Sequence, residues 1–373
     1  MSATADAQEL ADLAVAVAEL CADAGGLILA RAMEGSGTDL DAKLWDQIGM
    51  DMGLACVGLP EEVGGLGGLA EIVTVAGALG AALAPVPFWS STVLTGQILA
   101  AIEPRPTELL IRVAAGEIAA AVIADPEGRW DRARVGVQAR SGDGSWRLDG
   151  TVHFVVGGAA AGLLVVAATV EDGVDLFAVE HAGDGVDVLL APSLDLSRPL
   201  SSVHLTAALG ERLTTGGAGA DAVQVGVDVA LIALAAEQAV AARRCLEMTL
   251  EYVKLRHQFS RPIGGFQVVK HRLVDLLAQV EFATSAVDRA LTGGADRTTL
   301  AEAAAVAAAW CGDAFRDVCG EMIQLHGGIG FTWEHDLHLF LRRIKSDAVL
   351  YGDAPQHQER LCALLEHDRA AAS

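Results

Sequence analysis

Three clusters in this sequence have residue types and spacing that could do chemistry. The first is the stretch RHQFSRPIGGFQVVKHRL (residues 256–273). Here Arg256, Gln258 and Phe259 precede a polar turn through Ser260 and Pro262–Gly265, after which Phe266 and Gln267 restart a helical pattern. A guanidinium beside a newly exposed helix N-terminus suits a diphosphate. Read alone, Arg256 is equally a surface residue after a long helix. The second cluster is Gln324, Gly327 and Gly328 in QLHGGIGF. Alone, its glycines read as the C-cap of a helix. No strand precedes them, so they are not the glycine fingerprint of a βαβ nucleotide fold. The third is Gly352, Asp353 and Gln356 in YGDAPQ, where Asp353 reads as an N-cap and Gln356 can close a capping box. His326, His335 and His338 lie near the second cluster, but their spacing matches no familiar ligand set, and no metal is expected.

The elements that must position these groups follow from composition and period. The chain has 373 residues, which at about 100–200 per domain suggests two or three domains. Hydrophobic residues make up 52% and aromatic ones only 5%, a composition suited to closely packed Ala-rich helices. A formal net charge of −23 argues against nucleic acid and against an anionic membrane surface. It still permits a phosphorylated ligand held by a few local arginines. The cysteines (Cys21, Cys56, Cys245, Cys311, Cys319 and Cys362) form no CxxC pair and read as buried small hydrophobes in a reduced cytosol. MSATADAQEL lacks the regions of a signal peptide, and the longest apolar run, about Val155–Val170, is short for a membrane span. A soluble cytoplasmic protein is expected.

Residues 1–115 have helical spacing with short breaks, including a glycine-rich loop at Gly64–Gly68. Residues 116–222 switch to short Val/Ile/Leu runs, with Asp-Gly pairs at Asp143-Gly144, Asp149-Gly150 and Asp172-Gly173 read as turns. That pattern is the signature of an antiparallel β domain. Helical spacing returns over 223–373. One long helix reaches about residue 255, and Phe266, Val269, Leu273, Leu276, Leu277 and Val280 then share one face of the next. An Ala-rich helix at 299–325 and a terminal helix from about 354 follow.

The order and spacing of five segments resemble the acyl-CoA dehydrogenase family. These are LPEEVGGLGG (59–68), WRLDGTVHFVVGGAAAGLLVVAA (146–168), RHQFSRPIGGFQVVKHRLVDL (256–276), QLHGGIGFTWEHDLHLFLRR (324–343) and YGDAPQHQERL (351–361). The similarity spans nearly the whole chain, and the third and fourth segments are specific together. It implies an α+β multidomain fold: an N-terminal helical domain (1–115), a middle antiparallel β domain (116–222) and a C-terminal four-helix-bundle domain (223–373). It also implies FAD as cofactor. Arg256, Gln258 and Phe259 would approach the dinucleotide, Phe266 and Gln267 would line the far side of the turn, and Gln324, Gly327 and Gly328 would bring bare backbone to the dinucleotide of a neighbouring subunit. Gln356, which falls on the glutamine of the family's Y-E-G-T-x-x-Q segment, would also bind the cofactor. The implied reaction is α,β-dehydrogenation of an acyl-CoA thioester, with a proton passing to a carboxylate and hydride to flavin N5. An electron-transfer flavoprotein would be the acceptor, and the assembly a homotetramer or a heterotetramer with a related subunit.

The sequence departs from the family pattern at the base. The usual Glu corresponds to Gly352, and a second position used by some relatives corresponds to about Ala230. Asp353, one residue on, is the candidate base as well as a candidate cap; Asp228 and Glu237 are more distant candidates. The Gly352 N–H could still donate to the thioester carbonyl. ADPEGRW (124–130) replaces the family's flavin and substrate loop, and FVVGG (154–158) lacks its Ser or Thr. The residues therefore leave open an active dehydrogenase, a partner subunit that completes the FAD site of a base-bearing relative, and a flavin oxidase or monooxygenase on the same fold.

Overall fold

The computed structural model describes residues 7–38, 40–292 and 297–371. Six helices come first: α1 (Ala7–Asp23), α2 (Leu27–Ala32), α3 (Ala42–Trp45), α4 (Leu69–Ala82), α5 (Gly96–Ala100) and α6 (Thr107–Ala114). A π-helical stretch, Phe88–Thr95, runs into α5 and is buried throughout. The glycine-rich loop ends where the Glu71 carboxylate accepts the Gly68 N–H at 2.6 Å, fixing the start of α4.

Seven strands follow: β1 (Ala119–Val122), β2 (Val137–Gly142), β3 (Ser145–Val156), β4 (Leu163–Val170), β5 (Gly173–Glu180), β6 (Val186–Leu190) and β7 (Leu200–Arg212). Pairing runs from β2 to β3, β7, β5 and β4, and β4 touches β2 again, so the sheet closes on itself. Leu148, Val152, Val166, Phe177 and Val203 fill its interior. β4 is buried on both faces, one against this interior and one against the helices, which is why its sequence is a continuous apolar run.

Two details differ from the sequence reading. The sheet is not purely antiparallel, because β1 pairs parallel to β4. Asp143-Gly144 is a hairpin turn, but Asp149-Gly150 lies inside β3 at a register shift. There the Asp149 carboxylate accepts the Ala207 N–H at 2.8 Å. The pair marks a β-bulge, which uses the same residue types as a turn.

The remaining helices are α7 (Gly219–Leu255), α8 (Gln267–Thr292), α9 (Arg297–His326), α10 (Leu337–Asp347) and α11 (Ala354–Ala371), with a two-residue hairpin, β8 (His257–Gln258) and β9 (Arg261–Pro262), between α7 and α8. α7 is 37 residues long and is the axis of the bundle. It is long and apolar enough to cross a membrane, yet 89% of its most apolar window is buried inside this fold, packed on α4, α8 and α9. Leu273, Leu276 and Val280 of α8 face inward as their spacing requires, whereas Leu277 points outward and is 43% exposed. Cys362 is also exposed; the other five cysteines are buried.

Candidate functional site

The sequence-derived site residues fall into two places. The first is an open end of the helical bundle. Arg256 has an extended backbone that stops α7, and its carbonyl accepts the Ile263 N–H at 2.8 Å, closing the hairpin base. At the tip, Phe259 and Ser260 adopt φ of 51° and 62°, a strained conformation for side-chain-bearing residues. Phe259 is 87% exposed. The Arg261 guanidinium lies 3.8 Å over the Phe266 ring, which meets Phe259 edge-on at 6.2 Å. Gln258 and Gln267 are exposed on either side. Among the described residues, the Arg256 and Arg261 side chains form no ion pair.

 

The second half of this open end is the turn after α9. Gly327 has φ +63°, and a side chain at Gly327 or Gly328 would meet nothing within 4 Å, so bare backbone faces outward there, with Gln324 exposed alongside. Tyr252, one turn before Arg256, donates its hydroxyl to the His326 carbonyl at 3.3 Å and stacks on the His326 ring at 4.2 Å. The hairpin and the glycine turn, 60 or more residues apart in sequence, thus share one end of the bundle. The Tyr252–His326 contact carries no motif signal of its own, and the sequence reading missed it.

The second place is the seam between the sheet and the bundle, where Gly352, Asp353 and Gln356 lie. The capping box is formed: the Asp353 carboxylate accepts the Gln356 N–H and the Gln356 side-chain carbonyl accepts the Asp353 N–H, each at 3.0 Å. Asp353 is exposed, and its carboxylate serves the start of α11. Gly352 has φ +123°, and a Cβ there would stand 3.1 Å from the His357 ring. The more distant candidates are also engaged. Asp228 pairs with Arg360 at 2.7 Å, and burial, partly offset by Arg360, pushes its carboxyl up. Glu237 is buried between Arg198 and Arg343.

Those arginines belong to a buried charge network that the sequence reading did not foresee. Arg198 also holds Asp347 at 3.2 Å, and Arg343 holds Asp195 and donates to Ser197 at 2.7 Å. Burial drives the Asp347 carboxyl up to about 7, with Arg198 and Arg343 only partly opposing. Burial pushes the Asp195 carboxyl up too, but Arg343, Ser197 and Arg198 together outweigh it and hold it below its usual range. The Arg198 guanidinium lies 5.3 Å over buried Trp89, whose indole N–H donates to the Ala230 carbonyl at 2.9 Å. Trp89 in turn meets the buried Tyr351 ring at 5.9 Å.

ADPEGRW and YGDAPQ come together here. The Tyr351 N–H donates to the Gly128 carbonyl at 3.2 Å, and a cavity of about 320 Å³ lies between Arg129, Trp130, Tyr351, Gly352, Gln356 and Arg360. Phe154, at φ 61°, lays its ring against Gly128. Pockets for drug-sized ligands span about 300–1,000 Å³, so this cavity is at the small end, and a flavin dinucleotide is larger than such a ligand. The open end fits a diphosphate-bearing cofactor, with unpaired cations, bare backbone and an exposed ring. The seam cavity is small for a whole dinucleotide. Among the described residues no group of His, Cys, Asp and Glu assembles into a metal site.

Comparison with known proteins agrees with the sequence resemblance. Residues 217–360 match the family model for the acyl-CoA dehydrogenase C-terminal domain. The chain is 33% identical to acyl-CoA dehydrogenase IpdE2 of Mycobacterium tuberculosis, over 92% of this chain and 93% of the relative. A variant of the Tcur3481-Tcur3483 steroid ACAD superposes with a TM-score of 0.87 at 30% identity, covering 98% of this chain and 99% of that one. The ChsE4-ChsE5 complex from Mycobacterium tuberculosis superposes at 0.85 with 27% identity, covering 97% and 98%. With a relative this similar along nearly its whole length, the chain belongs to the acyl-CoA dehydrogenase family.

Proposed function

We propose that this chain is the partner subunit of a heterotetrameric, FAD-dependent acyl-CoA dehydrogenase, supplying the dinucleotide grip and not the catalytic base. The observation that carries this reading is the contrast within the chain. The Arg256 hairpin and the Gly327–Gly328 turn stand open and unpaired, while Asp353 is tied into a capping box. An Asp353 oxygen bonded to the backbone N–H of Gln356 is engaged in capping α11. FAD, when bound, supplies the redox chemistry. This chain's residues would hold its diphosphate through Arg256 and the N-terminus of α8, and would bring the Gly327 and Gly328 backbone close to it. Phe259 would cover a flat part of the ligand or of the partner chain.

The similarity to a steroid dehydrogenase and to a two-component complex supports a ring-bearing acyl-CoA as substrate class and a related, base-bearing chain as partner. An electron-transfer flavoprotein as acceptor is carried over from the family. The test is expression of this chain alone and together with a related chain that keeps the Glu and the flavin loop. Yellow protein only on co-expression, bleached by a steroid-derived acyl-CoA, is the expected result. A yellow chain that is bleached by acyl-CoA on its own would return the reading to a self-sufficient dehydrogenase.

A further inference from the structure

The hairpin and the glycine turn are held together by two side chains that have no role in the reading above. We infer that Tyr252 and His326 are positioning residues, a clamp that keeps the Arg256 hairpin and the Gly327–Gly328 turn at one fixed spacing and loosens when His326 takes up a second proton. This rests on the reading that both segments face one dinucleotide. Tyr252 is on the last turn of α7 and leads directly into Arg256; His326 is the last residue of α9 and leads directly into Gly327. Their ring planes are 21° apart, and the Tyr252 hydroxyl donates to the His326 carbonyl. A shift of either segment must break the stack or the hydrogen bond.

The protonation state follows from the partners of the imidazole. Nδ1 lies 2.9 Å from the Met322 carbonyl, which can only accept, so Nδ1 carries the proton. Nε2 is buried and has no hydrogen-bond partner among the described residues. A proton there would place a charged N–H with no acceptor in a residue only 4% exposed. The groups around it do not help. α7 contributes the Tyr252 hydroxyl, already used. The segment before α10 contributes the His335 ring at 4.7 Å and Asp336, but Asp336 is paired with Arg31 of α2 at 2.7 Å. His338 and Arg342 of α10 stand beyond, and the His338 Nε2 is likewise buried without a partner. Burial pushes His326 below its usual range, the Met322 carbonyl opposes, and His335 adds to the fall. A depressed histidine keeps the closed form at neutral pH and weakens it as pH falls below the free value of about 6.5.

Hydrogen exchange of the full chain at pH 7 and pH 5, corrected for intrinsic rates, reads the clamp without any flavin. In the wild type, peptides over 256–262 and 327–332 should lose protection together on acidification, by up to about tenfold per pH unit. His326→Phe keeps the ring and the carbonyl but cannot titrate, so protection should persist at pH 5. His326→Gln serves if the Phe variant does not fold. Tyr252→Phe removes only the hydroxyl and should loosen both segments about fivefold at pH 7. Protection that is flat with pH in the wild type, or a Tyr252→Phe effect confined to one segment, overturns the clamp. Flavin content of the co-expressed assembly separates the two ideas. If Arg256→Ala leaves it unchanged, the dinucleotide reading fails. If Arg256→Ala lowers it and Tyr252→Phe does not, the reading stands and the positioning role fails.

Discussion

The seam and the open end of the bundle are made from the same residue types and do opposite things. At the seam, Arg343 is buried and Arg198 largely covered, each meets two carboxylates, and Trp89 and Tyr351 fill the space beside them. At the open end, Arg256 is exposed with no carboxylate partner among the described residues, and Phe259 stands almost fully in solvent. A satisfied cation joins elements of one chain; an unsatisfied one is available to something else. The chain closes the seam with its own charges and leaves the open end exposed, and on the proposed reading it is the open end that serves a partner subunit.

The largest effect should come from cutting the seam. Arg343→Met leaves Asp195 and Glu237 buried with one fewer positive partner. Breaking a buried network from one side costs about 3–5 kcal/mol, so the urea midpoint should fall sharply. A variant as stable as the wild type would mean that the seam does not hold the sheet to the bundle. Arg256→Ala is the matching test at the other end. It should leave the urea midpoint unchanged while the flavin content of the assembly falls about tenfold, the scale of one charge-assisted hydrogen bond. Loss of stability in this variant would erase the contrast between the two regions.

The seam should also show in the pH profile. Asp347 has its carboxyl raised to about 7 in the folded chain, against about 3.9 when unfolded. Between those values the folded state holds a proton that the unfolded state has released. Its contribution to stability is therefore full below about pH 4 and is lost as pH rises through about 7. Asp347→Asn cannot lose that proton, so the drop in thermal midpoint between pH 5 and pH 8 should shrink. An unchanged drop would place the titration elsewhere.

Much of the open end was legible in the sequence, because its signals are local. A proline and paired glycines after a long helical run mark the hairpin and the turn whatever lies around them. The capping box was legible for the same reason, since Asp353 and Gln356 are three residues apart. The seam was not. Asp195, Arg198, Glu237, Arg343 and Asp347 come from three separate segments; Glu237 stood out only as a distant base candidate, and the others look like ordinary surface charges until the chain folds. The pairing of Tyr252 with His326 was hidden likewise, because they stand 74 positions apart. The bulge at Asp149-Gly150 failed for another reason: its residue types fit both a turn and a bulge, and only pairing with β7 decides between them.

The smallest effect concerns Asp353, where the two regions' roles would be confused if the carboxylate were a base after all. As an N-cap it holds only the first turn of α11, so Asp353→Ala should cost about 1 kcal/mol, and Asp353→Asn, which caps nearly as well, almost nothing. In a co-expressed assembly neither change should alter flavin bleaching by acyl-CoA, because the base would belong to the other chain. Stopped-flow absorbance of the flavin band measures this directly. If Asp353→Asn abolished bleaching while leaving stability and flavin content intact, the carboxylate would be catalytic despite its cap, and the seam would have to open during turnover.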